Sequence, residues 1–373
     1  MNRTFSQTID TNVTFFGRCL RLPCRKAIGQ TSGHAGHAIH IMLHALTALL
    51  FLSTPGSVHG CGGCFSLPYQ SLLEKVERAD RVVIARTTNG AGSPWKIDRV
   101  IKGRKLDSDE DIDIEKMTGQ SKMPLNGAQL LLWNEVLDSW TIEAPPNREL
   151  IEFLNRALAL QTFQRQPTTI RQQSQQLRFF LPYIEHPDSQ IADSTHAKLS
   201  GAPYAVLREL SGDLDREQLL KWIDDHSAAI NKRVALFVML LGICGDQREA
   251  DRVKDWIDQG YSGGEVAYLT ALLTAHIELS GEQAVRFIEE SYLQNGNRRL
   301  GEVIAAVDAL RTHGQAETTI SRDRIKASFH LFLRERTPLA ELVIDDFARW
   351  KDWSIAPQLM EIQASGKQPW NTT

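Results

Sequence analysis

Two cysteines separated by two glycines, Cys61-Gly-Gly-Cys64, are the strongest candidates for chemistry in this chain. Thiols at that spacing can close a local disulfide, because glycine tolerates the tight turn between them, and an oxidising compartment favours the bond. The same spacing serves thiol–disulfide exchange when it lies between a strand and a helix of a βαβ unit. No strand-like segment precedes it here. Haem attachment is excluded, since Phe65 stands where that motif requires His.

Other patterns carry less. Gly260-Tyr-Ser-Gly-Gly264 matches the nucleophile elbow of serine hydrolases, with His276 or His313 as a base for Ser262. That chemistry needs the Ser on a strained strand-to-helix turn above a parallel sheet. Asp251–Gln259 before it has a helical pattern, so the segment is expected to be an interhelical turn. The acidic run Asp107–Asp113 fails as a calcium loop, because Ile112 and Thr118 occupy the places of the required Gly and Glu. It is expected to be a solvated face. His34, His37, His40 and His44 would share one face of a helix, yet no second shell for a metal is visible. The carboxylates of Asp224-Asp225 and Asp345-Asp346 are neighbours on helices and point about 100° apart, so both pairs are expected to be solvated. Cys244, inside the apolar run Ala235–Cys244, is expected to be core, as are Trp222, Trp256, Trp350, Trp353 and Trp370. No catalytic set, cofactor site or metal site is expected.

The elements that would position these residues fall into three regions. Residues 1–60 hold five bases and one acid and lead into the apolar stretch Ile41–Leu52 and the turn-prone Ser53–Gly60. A basic start, a short apolar core and small residues before a cut describe a secretory signal peptide, with Met42 as an alternative start. Val58-His-Gly-Cys61 also approaches the pattern at which exported proteins are cut and lipidated on Cys, so Cys61 and Cys64 are candidates for a disulfide or, at Cys61, a lipid anchor. Beyond residue 60 the chain carries 37 bases against 44 acids, a net charge of −7. Such a surface disfavours nucleic acid and anionic membranes.

From residue 61 to 146 a short helix (Pro68–Arg78) precedes five strand-like segments: Arg81–Thr88, Trp95–Lys102, Asp111–Met117, Gln129–Trp133 and Trp140–Glu143. Their alternation and turn-rich links predict a small barrel or two-layer β domain. Pro145-Pro146 ends it. From 147 to 373 the period is helical, with stripes such as Val266, Leu269, Leu272 and Leu273, or Val303, Ile304, Val307 and Leu310. Helix-pair starts near Asp215, Gln247, Gly281 and Ser321 recur at 32 to 40 residues, the period of an α-solenoid. The fold class is therefore α+β multidomain, and a fragment from about Asn147 is expected to fold alone.

The stretch Leu177–Pro203, with its Leu-Pro-Tyr-Ile helix end, His-Pro-Asp turn and Asp188 as N-cap, resembles a HEAT-type repeat, and Arg233–Ile257 looks like another. The whole arrangement resembles exported bacterial helical-repeat proteins. The β region is similar to netrin-like and tissue-inhibitor modules, which are OB-type barrels that begin with Cys. It lacks their further cysteines, so their inhibitory activity is not carried over. These resemblances imply a solenoid surface for a protein partner. The expected function is thus a non-enzymatic, exported (periplasmic or extracellular) binding or scaffold protein without membrane insertion after cleavage. An enzyme using Cys61/Cys64 or Ser262 is the alternative.

Overall fold

The computed structural model describes residues 70–87, 95–103, 112, 117–118, 127–143, 145–163, 169–225, 233–259 and 266–364. The first element, α1 (Leu72–Arg78), is opened by a reciprocal cap: Ser71 accepts from the Glu74 amide, and the Glu74 carboxylate accepts from the Ser71 amide. Leu72, Leu73 and Val76 turn inward. Another donor at this helix start, the Leu73 amide, reaches Ser194 Oγ at 3.1 Å, 121 residues away in sequence. The far end is closed by Lys102 Nζ, which donates to the carbonyls of Val76, Glu77 and Ala79 at 3.2, 2.7 and 2.6 Å. Burial lowers the Lys102 pKa, with Asp80 and Glu77 opposing.

The sheet contains β1 (Arg81–Thr87), β2 (Trp95–Lys102), β3 (Met117–Thr118), β4 (Ala128–Asn134) and β5 (Ser139–Ile142) in the order β2-β1-β4-β5-β3. Three of the four pairings are antiparallel, and the two-residue β3 runs parallel to β5. Register places Val82 opposite Leu132 and Ile84 opposite Leu130. These four residues share one face and one apolar cluster with α1 and the helices that follow. Val83, Ala85 and Leu131 lie on the other face, in a smaller cluster with Trp95, Ile112 and Trp140.

The barrel expected from the sequence does not form. Among the described residues β2 and β3 are the two edge strands of an open sheet. A closed barrel encloses its own core; here the face of Val82, Ile84, Leu130 and Leu132 is covered by helices instead. Of the expected third strand, Ile112 makes one bridge to Trp95 and Met117 pairs with Trp140.

The rest is helical: α2 (Arg148–Phe163), α3 (Ile170–Arg178), α4 (Ser189–Ser200), α5 (Tyr204–Arg208), α6 (Arg216–Asp224), α7 (Val234–Cys244) and α8 (Gln247–Asp258). They are followed by α9 (Val266–Ser280), α10 (Glu282–Ile288), α11 (Leu300–Ala316), α12 (Arg322–Glu335), α13 (Glu341–Arg349) and α14 (Ala356–Ala364). Asp188, Asp215, Asp246 and Ser321 each accept an amide bond as N-cap of the helix after them. The Leu-Pro-Tyr segment is a separate 3₁₀ turn, Leu181–Tyr183, because Pro182 cannot continue α3.

Every second helix packs on the next but one: α7 on α9, α9 on α11, α11 on α13. The α7–α9 approach is close because of Gly242, where a Cβ would stand 2.7 Å from the Ala275 Cα. After α10 the backbone widens into a π turn, Glu289–Leu293. Arg336 closes it, donating to the Leu293 carbonyl at 3.0 Å and also to those of Tyr292 and Asn295.

The change of periodicity at Pro145-Pro146 is not a break between cores. One apolar cluster runs from Leu72 through Phe153 and Leu241 to Ile355, and the chain from Val58 to Thr373 is one compact unit. Ion pairs cross the same line, Lys198–Glu77 at 2.5 Å between α4 and α1 among them.

Candidate functional site

The apolar stripe of α9 ends in a carboxylate. Glu278 lies four residues after Thr274 and is 7% exposed at its side chain. It accepts from Arg208 Nε at 2.8 Å, Tyr204 Oη at 3.2 Å and Thr319 Oγ1 at 2.9 Å. One residue therefore joins α5, α9 and the α11–α12 link. His313 of α11 completes the cluster from a fully buried position. Its Nε2 is 3.0 Å from the Thr274 carbonyl, which can only accept, so Nε2 carries the proton. The bare Nδ1 then faces Glu278 Oε2 at 3.9 Å and finds no hydrogen-bond partner among the described residues. Burial lowers the His313 pKa to about 4, helped by Arg208 and opposed by the Thr274 and Glu278 oxygens.

A Glu–His pair invites comparison with a general-base dyad. A base must reach a substrate proton within hydrogen-bond distance. The His313 ring is walled in, its edge against Tyr204 at 5.2 Å between centroids, and its one protonated nitrogen is spent on backbone. The arrangement ties α5, α9 and α11 together.

A second buried set surrounds Arg233, which precedes α7. Its guanidinium donates to Glu185 at 2.9 Å and Asp193 at 2.5 Å. His196, one turn along α4 from Asp193, is buried beside it. Burial lowers the His196 pKa to about 4, and the Arg233 charge adds to the effect. Thr195 Oγ1, His196 Nδ1 and Arg233 Nε have no partner among the described residues. A third set sits at α11 and α13. Arg311 Nε spans both oxygens of Asp346 at 2.8 Å and its guanidinium also holds Asp308.

Asp346 corrects the sequence reading of Asp345-Asp346 as a solvated pair. Asp345 is exposed, whereas Asp346 is buried and bound by Arg311 and Arg349. Burial still raises its pKa against those two cations. Asp224 and Asp225 are exposed. Cys244 is half-buried, and burial lifts its thiol to about 11, well away from a reactive thiolate. Trp222, Trp256 and Trp350 pack on the main core, while Trp353 is 73% exposed. His276 lies in α9 with its edge to Phe287 at 5.7 Å and burial lowering its pKa to about 4.

Cys61, Cys64 and Ser262 lie outside the described residues, as do His34, His37, His40, His44 and Trp370. The acidic run from Asp107 does so too, apart from Ile112. Sequence reasoning did not select Glu278, Arg208, Tyr204 or Arg233. Glu278 carried a usable signal, because it continues the buried positions of Ala271 and Thr274 at helical spacing. Arg233 and Glu185 carried none, since their meeting depends on the tertiary fold. Among the described residues no group of three His, Cys, Asp or Glu side chains is placed to hold a metal ion, and no helix is long and apolar enough to cross a membrane. Comparison with protein-family models, curated proteins and solved structures gives no match.

Proposed function

We propose that the chain is an exported, non-enzymatic protein-binding scaffold whose helical part is a HEAT-like solenoid. The ladder α7–α9–α11–α13 supports the solenoid reading, since repeats of that class bury each helix pair against the next. One feature departs from strict nearest-neighbour stacking: α5 reaches across to α11, through Tyr204 and His313. The observation that carries the binding role is the apolar surface of the last helices. Trp353 and Met360 are 73% and 70% exposed while Ile355 and Ile362 of the same segment are buried. Large exposed side chains of this kind, aromatic ones above all, serve as anchors in protein interfaces.

Export rests on the apolar core Ile41–Leu52 and the small residues before Cys61, with Cys61 and Cys64 joined as a disulfide or Cys61 lipidated. N-terminal sequencing of protein from its native host is expected to begin at Cys61; an intact Met1 or Met42 ends the export reading. The partner is tested by cross-linking and pull-down with the exported form, followed by mass spectrometry. A specific partner should be retained by the unaltered chain and lost by Trp353→Ser/Met360→Ser. Retention by both, or by neither, removes the support these two residues give.

A further inference from the structure

Three buried histidines occupy the seams of the helical part, each with a ring Nδ1 that makes no short hydrogen bond among the described residues. His196 in α4 and His313 in α11 each have an Nδ1 without a hydrogen-bond partner among the described residues. His276 Nδ1 in α9 lies 3.4 Å from Ser280 Oγ, a long contact. All three rings are at least 95% buried. We propose that the helical part is an acid-operated assembly, its α4, α9 and α11 seams released when protons reach His196, His276 and His313.

Burial opposes an imidazolium at each ring; of the nearby charges the cations add to that and the carboxylates work against it. Around His196 these are Arg233 from the start of α7 and Asp193 on its own helix, the latter already engaged by Arg233. On the α1 side Lys198 and Glu77 neutralise each other. Around His276 they are Lys254 and Asp258 of α8, which are paired with each other at 2.5 Å. Around His313, α5 presents Arg208 and Tyr204, and α9 presents Glu278. Towards α13 lie Asp308, Arg311 and Asp346, bound together, and Arg322 holds the Gly314 carbonyl next to it. A protonated His313 would put a second cation on Glu278, which already serves Arg208 and two hydroxyls. Competition for that carboxylate loosens α5 and the α11–α12 link together.

The sign follows from proton uptake. In the folded chain these rings hold back protonation to about pH 4, whereas in the unfolded chain they protonate near 6.5. Between those values the unfolded state binds more protons, so stability is complete above about pH 6.5 and falls as pH drops towards 4.

The test is thermal melting of the full chain, followed by circular dichroism, from pH 7.5 to pH 5.0. The expected result is a fall in Tm on the order of 10 °C, less than half as large in the triple variant His196→Asn/His276→Gln/His313→Gln. The Gln at 313 keeps a donor for the Thr274 carbonyl. A Tm that changes by less than about 3 °C in the unaltered chain, or a triple variant with the full slope, overturns the proposal. If the triple variant does not fold, NMR titration of the unaltered chain decides: three rings whose C2 proton shifts stay at the neutral position down to unfolding support the proposal, and any of the three that titrates in the folded chain overturns it.

Discussion

Glu278 shows how a single side chain acquires weight from its surroundings. In water a carboxylate near an arginine contributes little, because solvent screens the pair. Here the carboxylate is almost fully withdrawn from solvent and serves Arg208, Tyr204 and Thr319 at once. Glu278→Gln is expected to destabilise the chain by about 2 kcal/mol, short of the roughly 3–5 kcal/mol for a wholly buried pair because Arg208 keeps part of its water. Tyr204→Phe removes one hydrogen bond and should cost about 1 kcal/mol. Urea denaturation with an unchanged m-value measures both. Equal losses, or none for Glu278→Gln, would show that the cluster does not hold the seam. The contrast with Asp346 is instructive. Its neighbour Asp345 is exposed, and nothing in the dipeptide distinguishes them; only the arrival of Arg311 from α11 does.

Among the elements, helix ends and close approaches decide what the pattern of apolar residues cannot. Ser71→Ala removes one half of the reciprocal cap on α1 and is expected to cost about 1 kcal/mol. Gly242→Ala places a methyl group 2.7 Å from the Ala275 backbone, so α7 and α9 must part. A loss of about 1–3 kcal/mol is expected, and melting curves of the two variants check both values; a Gly242→Ala chain as stable as the original would mean that the seam yields freely. At this scale much was legible. The stripes of Val266–Leu273 and Val303–Leu310 lie on helices in which those apolar residues are largely buried, Asp188 is the N-cap expected of it, and helices start beside Asp215 and Ser321 as their spacing suggests. Periods of two and 3.6 are local, so they survive in the sequence. What covers a sheet is not local. The strands β1, β2, β4 and β5 lie close to their expected spans, yet alternation of residues such as Val82 and Val83 reads the same for a barrel wall and for an open sheet under helices. The buried polar sets were invisible for a similar reason: Arg233 meets Glu185 across 48 positions and Leu73 meets Ser194 across 121.

At the scale of the whole molecule the question is whether the sheet and the helices are one folding unit or two. The sequence, reading a change of period at Pro145-Pro146, expects a helical fragment from Asn147 to fold alone. The structure argues for coupling. The inner face of the sheet and α1 belong to the same apolar cluster as α2, α4 and the ladder. Ser194 supplies a cap to α1, Lys198 pairs with Glu77 on it, and Lys75 of α1 holds Glu143 just before the prolines. Domains that fold independently meet through modest, largely polar interfaces; here apolar core residues are shared. Deleting residues 70–146 would uncover the face of α4 on which α1 now packs and leave the Ser194 and Lys198 side chains without their α1 partners. The full chain is therefore expected to unfold in a single transition seen equally by far-UV circular dichroism and by tryptophan fluorescence, since Trp95, Trp133 and Trp140 report on the sheet and Trp222 and Trp256 on the helices. A fragment of residues 147–373 should show helical signal without a cooperative melt. Two separated transitions in the full chain, or a fragment that melts as sharply as the parent, would return the boundary to Pro145-Pro146 and make the sheet a module attached to a self-sufficient stack of helices.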